Sequence, residues 1–126
     1  MLARFQGRDL DAHYLGYFEC FNRQLFYEAH EVLEPLWLEQ RRGPEEAFYK
    51  GLIQLAGAFV HLQKNRLPPA AALFRLAAEN LGQYPGTHHL LDVVAVRLMI
   101  QEWLTKLEAG AFIEGPGPVR LNLALS

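Results

Sequence analysis

The stretch EEAFYKGLIQLAGAFVHLQK, residues 45–64, decides the fold. Phe48, Tyr49, Leu52, Ile53, Leu55, Ala56, Phe59, Val60 and Leu62 spread apolar side chains around most of a helix, while Lys50, Gln54 and His61 form its polar strip. A helix so apolar around its circumference is buried on nearly every side and belongs at the centre of its domain. Pro44 with Glu45-Glu46 behind it is a natural opening, because proline's fixed φ suits a first turn and carboxylates favour the positive end of the helix dipole. Gly51 and Gly57 each weaken the helix by roughly 1 kcal/mol relative to alanine, which predicts close approach of a neighbouring backbone.

Helical spacing continues on both sides of this stretch. A second helix is expected over about 25–40, with Leu25, Ala29, Val32, Leu33 and Leu36 on one stripe flanked by Phe26 and Trp37. Pro35 falls on the outward side of that wheel, where solvent absorbs the hydrogen bond it removes. A first helix over about 10–21 buries Tyr14, Leu15, Phe18 and Phe21, and Asn22-Arg23-Gln24 reads as a turn with Asn22 tolerating the left-handed backbone. Asn65 to Leu67 turns the chain again, Pro68-Pro69 open a fourth helix over about 69–81, and Gly82, Pro85 and Gly86 stop it. Thr87 is the expected N-cap of a fifth helix over about 88–108, with Gly110 just beyond its end. That helix carries two apolar stripes, Val93/Val96/Ile100/Leu104/Leu107 and Leu91/Val94/Leu98; one faces the core and the other needs a second partner, the tail or another subunit.

After Gly115 to Pro118, the residues Val119, Leu121, Leu123 and Leu125 alternate with Arg120, Asn122 and Ala124, an extended pattern. Such a segment is not stable alone, so the tail over about 115–126 is expected to lie in a groove of its own helices in preference to a neighbour's. The pairs Asn22-Arg23 and Asn65-Arg66, 43 residues apart, also hint at two helix-turn-helix units, with Ala29 matched to Ala72 and Leu33 to Leu76. The fold class is therefore all-α: a compact orthogonal or bundle-like array of about five helices, built from two helix hairpins plus a long C-terminal helix and an extended tail. Residues 1–126 read as a single helical domain.

Composition removes several functions. With 51% hydrophobic and 21% charged residues, the chain is neither disordered nor low in complexity, and a net charge of −2 lacks the basic footprint of a nucleic-acid binder. The lone Cys20 cannot form an intramolecular disulfide and fits a reducing compartment. Arg4, Arg8, Asp9 and Asp11 stand where a signal peptide would be apolar, and the most apolar segment, Gly51 to Val60, is interrupted by Gln54, far short of a membrane span. The expectation is a cytoplasmic protein without membrane partners.

The candidate chemistry lies on the second and third helices. His30 and Glu34 are four apart and share a face, while Glu31 points elsewhere. Pairing the two helices through Arg41 to Gly43 brings Glu34 near Lys50 and His30 near Gln54, with His61 further along towards Tyr27 or Arg23. His30, Glu34 and His61 are thus candidate ligands of a divalent metal. Two familiar sites do not fit: a zinc HExxH helix needs histidine where residue 34 is glutamate, and Glu28 is two residues from His30 where a di-iron Glu-x-x-His needs three. A hydrolytic triad has no nucleophile, since the only serine is Ser126 and an apolar setting makes Cys20 inert. The cluster reads in the first place as a half-buried hydrogen-bond network in which the carboxylate fixes the imidazole and Gln54 or a hydroxyl completes it, and only second as a ligand site. His88-His89 are expected to be solvated, and Trp37 and Trp103 to anchor the core or an interface.

Phe21-Asn22, the run Phe26-Tyr27-Glu28-Ala29-His30-Glu31-Val32-Leu33-Glu34 with Leu36-Trp37, and the run Phe48-Tyr49-Lys50-Gly51-Leu52-Ile53-Gln54-Leu55-Ala56 with His61 together resemble domain of unknown function family 309. The resemblance covers roughly Leu15 to Leu81 and implies an all-helical fold. It singles out His30, Glu31, Glu34, Trp37, Gly51, Gln54 and His61 as motif positions, and it supplies no reaction. Gln24 and Pro68-Pro69 stand at turns where similar proteins would be expected to carry glycine.

The sequence leaves enzymatic activity open. It reads first as a non-catalytic binding or scaffolding domain that self-associates, a dimer being favoured, because the fifth helix has an unpartnered stripe. The alternative is an enzyme or sensor that binds a metal or small ligand through His30, Glu31, Glu34, Trp37, Lys50, Gln54 and His61.

Overall fold

Five helices and one short hairpin account for residues 11–110 of the computed structural model, which describes those residues and 119–124. Helix α1 (Ala12–Asn22) is capped by Asp11, whose carboxylate accepts the His13 N–H at 2.6 Å. Helix α2 (Phe26–Glu39) runs through Pro35, which sits on its exposed side as expected. Helix α3 (Glu46–Gln63) packs between α2 and α4 (Leu67–Leu81), and only Lys50 and Gln63 along its length are fully exposed. Helix α5 (Val93–Glu108) lies against α4. One continuous core of buried residues draws on all five helices, from Tyr14 and Phe26 through Phe59 and Phe74 to Ile100. Among the described residues the regular structure is all-α apart from the two-residue strands of the hairpin.

The two helix hairpins are built on the same turn. The Gln24 N–H donates to Phe21 O at 2.9 Å and the Leu25 N–H to Cys20 O at 2.9 Å; the Asn65 N–H donates to Leu62 O at 3.0 Å and the Arg66 N–H to His61 O at 2.8 Å. Gln24 (φ 66°) and Asn65 (φ 55°) supply the left-handed residue that lets each helix end this way. The expected repeat is therefore real but runs at 41 residues, not 43: Gln24 answers Asn65, Ala29 answers Ala70, and Leu33 answers Phe74, the last four all fully buried or at the turn. The left-handed residue of the first turn is Gln24 rather than Asn22, which is the last residue of α1.

Helix α5 starts later than expected. Thr87 does not cap it; it opens strand β1 (Thr87–His88), which pairs antiparallel with β2 (Leu91–Asp92) through a two-residue turn at His89-Leu90. Both turn residues have positive φ, 47° and 65°, the geometry whose twist matches a tight hairpin. The cap is Asp92, whose carboxylate accepts the Ala95 N–H at 3.0 Å. Leu91 consequently leaves the helix stripe to which its spacing assigned it and is buried at 1% exposure in the hairpin.

The tail packs on its own chain, with Val119 and Leu121 buried and Arg120 and Asn122 exposed, the alternation expected of an extended segment. Two carboxamides hold it. Gln24 donates to Val119 O at 2.7 Å and accepts from Val119 N at 3.0 Å; Asn22 donates to Leu121 O at 2.8 Å and accepts from Leu121 N at 2.6 Å. Each side chain thus replaces the donor and acceptor that a neighbouring strand would offer. Leu123 then bridges to Leu91, and the Ala124 N–H donates to Leu90 O at 2.7 Å. Gly115 to Pro118 and Leu125 lie outside the described residues.

The glycines of α3 do accommodate a close neighbour, but side chains of α4 rather than its backbone. A Cβ on Gly51 would stand 2.9 Å from Leu81 Cγ and 3.3 Å from Asn80 Cβ, whereas one on Gly57 would meet only the tip of Leu73 at 3.1 Å. Leu81 is fully buried and has nowhere to move. Gly51→Ala is expected to lower stability by about 1–2 kcal/mol despite its gain in helix propensity, because overpacking outweighs it. Gly57→Ala should stay within about 1 kcal/mol of wild type, since Leu73 can rotate away. Urea unfolding of the two variants checks this, and equal effects would contradict it.

Candidate functional site

The residues singled out on α2 and α3 are spread along the helices. His30 is half-buried and its ring lies 6.2 Å from that of Tyr27, nearly parallel. Glu31 is exposed, and its neighbouring carboxylate raises the pKa of the Tyr27 phenol. Glu34 is half-buried and Lys50 exposed. Trp37 lies partly buried against the core with Arg41 over its ring at 5.8 Å. Gln54 turns to α4, where its carbonyl accepts the Asn80 amide at 2.7 Å, and Gly57 on the same strip meets Leu73 of α4. The strip therefore faces α4, and among the described residues no hydrogen bond or ion pair joins His30, Glu34, Lys50, Gln54 and His61 to one another. Two atoms of the set stand out: Trp37 Nε1 and His61 Nδ1 are buried without a hydrogen-bond partner among the described residues.

The structure gathers a different trio. Glu45, immediately before α3, directs Oε1 at His88 Nε2 (2.6 Å) and His89 Nε2 (3.0 Å). The three ligand atoms all lie within 4.8 Å of one another, the one such group of His, Cys, Asp or Glu among the described residues. The expectation that His88 and His89 are solvated is corrected here: their side chains are 21% and 34% exposed, because the hairpin folds them onto the end of α3. Aromatic rings form the wall. Phe48 lies 4.7 Å from His88, Tyr84 lies 4.6 Å from His88, and Tyr49 stacks on His89 at 6.1 Å and 13°.

The chain's own constraints place these groups. Pro44 and the first turn of α3 are fastened by Tyr84, whose hydroxyl donates to Pro44 O at 2.9 Å and accepts the Phe48 N–H at 2.9 Å. The turn that aims His89 is held from below, where the Tyr14 hydroxyl donates to His89 O at 2.8 Å. Left-handed backbone at a leucine and a histidine costs of order 1 kcal/mol each and persists only when surroundings over-determine it; Tyr14, Glu45 and Ala124 do so.

Charge states follow from the same contacts. Burial alone pushes the Glu45 carboxyl up, but the His88 and His89 contacts outweigh it and hold the pKa below the usual value. Burial pushes His89 down, reinforced by neighbouring His88 and opposed by Glu45. The carboxylate is thus anionic and the His89 imidazole neutral at neutral pH. A carboxylate and two imidazoles can fasten a hairpin to a helix end, or ligate a divalent transition ion. Spacing does not reveal the trio because Glu45 lies 43 and 44 residues from the two histidines and meets them only after a turn that leucine disfavours; the adjacent histidines followed by Asp92, a ready N-cap, were the available signal.

With this geometry in view, comparison with known proteins places the first part of the chain. Residues 14–73 match DUF309, a domain of unknown function. Over that stretch the chain is similar to the DUF309 family. The match runs from α1 into α4 and contains His30, Glu34, Gln54, His61 and Glu45, while His88, His89 and α5 lie beyond it. No curated protein matches the sequence. No described helix of the chain is long and apolar enough to cross a membrane.

The aromatic wall carries a pH signature. Burial raises the Tyr49 pKa to about 12 and likewise pushes those of Tyr14 and Tyr17 well above the ordinary phenol value. In the unfolded chain these phenols ionise near ~10, so the stability they contribute is complete below that pH and is lost as pH climbs through the folded values. Phenolate absorbance should show Tyr14, Tyr17 and Tyr49 ionising together with loss of helical circular dichroism. Independent titration of all five tyrosines in an intact helical protein would contradict this.

Proposed function

We propose that this protein is a non-catalytic binding or scaffolding domain that acts as a homodimer, with the outer face of α5 as its interface. The observation that carries the reading is the exposure of Val94 (53%) and Leu98 (62%) on a face that the described tail residues, 119–124, do not cover. The tail lies instead beside Ala95, Val96 and Met99. Val94, Leu98, Gln101 and Thr105 are all exposed and follow the four-three-four spacing of a helix-pairing seam. Shallow grooves flank Leu98 on both sides, one towards Ala78 and Arg97, the other towards Glu102 and Lys106.

A second copy suits this face because the face is self-complementary. In an antiparallel two-fold pairing centred between Leu98 and Gln101, Val94 stands opposite Thr105 and Arg97 opposite Glu102, so apolar meets small and cation meets anion in both directions. The lone Cys20, whose thiol pKa is raised chiefly by burial, suits work in the reducing cytoplasm. Light scattering on the wild-type chain should give the mass of two chains at micromolar concentration. Leu98→Glu should give one chain with unchanged helical content, since Leu98 contributes little to the core. A wild-type monomer would overturn the reading, as would a dimer indifferent to Leu98→Glu.

A second reading, a small-ligand or metal site served by His30, Glu31, Glu34, Trp37, Lys50, Gln54 and His61, is favoured by the partnerless buried nitrogens of Trp37 and His61. On that reading His30→Ala removes a bound ligand at near wild-type stability. Destabilisation by a few kcal/mol with no ligand lost would mark the cluster as structural.

A further inference from the structure

We propose that Glu45, His88 and His89 form a three-ligand site for a divalent transition-metal ion of the zinc class. The inference is independent of dimerisation, since the three residues belong to the start of α3 and the hairpin and not to the exposed seam of α5.

Two imidazoles and one carboxylate are a ligand set that zinc, cobalt, manganese and ferrous ions accept, and three protein ligands leave positions for water or a small anion. The donor atoms already converge. Around an ion with bonds of about 2.0–2.1 Å, tetrahedral ligand atoms stand roughly 3.3 Å apart. Oε1 of Glu45 is 2.6 Å from one Nε2 and 3.0 Å from the other, so each of these two contacts needs to open by less than about 1 Å to reach that spacing, and all three donors already lie within 4.8 Å of one another. Both contacts use the same carboxylate oxygen, an arrangement in which two imidazoles share one acceptor and which an ion would relieve by taking all three groups at once.

Access and setting agree with this. The side chains of Glu45, His88 and His89 are 26%, 21% and 34% exposed, open enough for exchange and enclosed enough for the charge to be weakly screened. Phe48, Tyr49 and Tyr84 form the apolar surround that strengthens electrostatic binding. The Tyr14 hydroxyl fixes the His89 backbone, limiting the freedom that binding would remove. The helix dipole at the start of α3 opposes a cation, but its effect is an order of magnitude smaller than the binding free energy of a chelated zinc ion.

The test is calorimetric titration of zinc chloride into protein carrying no polyhistidine tag, beside the visible absorption of added cobalt(II). The expected result is one ion per chain at micromolar affinity or tighter, with cobalt bands characteristic of a low-coordinate nitrogen and oxygen site. His89→Asn preserves a residue that tolerates the left-handed backbone, and Glu45→Gln preserves the shape of the carboxylate. Each should weaken zinc by about 100-fold or more, and zinc should raise the melting temperature of wild type but not of either variant. Absence of saturable binding to wild type, or binding indifferent to His89→Asn and Glu45→Gln, would each overturn the assignment. Should either variant fail to fold, the wild-type cobalt spectrum decides, since the weak absorption of fully hydrated cobalt would equally overturn it.

Discussion

Everything in this structure depends on covering α3. A helix whose only exposed residues are Lys50 and Gln63 has no face on which it could rest against water. Leaving one of its phenylalanines or leucines exposed would forfeit about 1.5–3 kcal/mol, a large part of a small domain's net stability. Helix α2 covers one side and α4 another, with Gly51 drawing Leu81 into contact. The remaining aromatic surface at the start of α3, around Phe48 and Tyr49, is closed by Tyr14 from α1 and by Tyr84, His88 and His89 from the chain after α4.

The elements that close this gap contribute few helical hydrogen bonds of their own and are held by side chains instead. Glu45 receives two imidazoles, Tyr84 supplies both a donor and an acceptor to the first turn of α3, and Asn22 and Gln24 take the place of a partner strand for the tail. These polar contacts lie at the rim of the core, where each satisfies a backbone or side-chain group that burial would otherwise leave unpaired. They link in series: Glu45 to the hairpin, Leu90 and Leu91 to the tail, and the tail back to the turn between α1 and α2. Covering the central helix and assembling the histidine-carboxylate trio are thus one structural event.

The helical frame was legible because its causes are local or periodic. The near-continuous apolar circumference of α3, the outward Pro35 and the alternation of Val119 to Leu123 all follow from spacing, whereas Gly51 and Gly57 signalled a close neighbour without showing that it would be side chains and not backbone. The His89-Leu90 turn was not legible, because leucine disfavours positive φ and only distant groups, Tyr14 and Ala124, hold it there. A helical wheel correctly placed Lys50, Gln54 and His61 on one strip, but a wheel does not say which neighbour a strip meets, and Gln54 meets Asn80. The roles of Asn22 and Gln24 were hidden for a related reason: polar residues at a turn read as solvated until the segment they bind, 95 to 99 residues away, is in place.

The claim at the centre of this account is that side-chain carboxamides and one carboxylate, rather than regular backbone pairing, fasten the C-terminal elements to the helical frame. Native-state hydrogen exchange of the Val119 and Leu121 amides tests it most directly, in wild type and in Asn22→Ala. The account predicts protection of about 100-fold or more over an unstructured chain for both amides in wild type, with Leu121 protection collapsing in Asn22→Ala while the amides of α3 keep theirs. Exchange of both amides at unstructured rates in the wild-type protein, or protection of Leu121 that survives loss of Asn22, would contradict it.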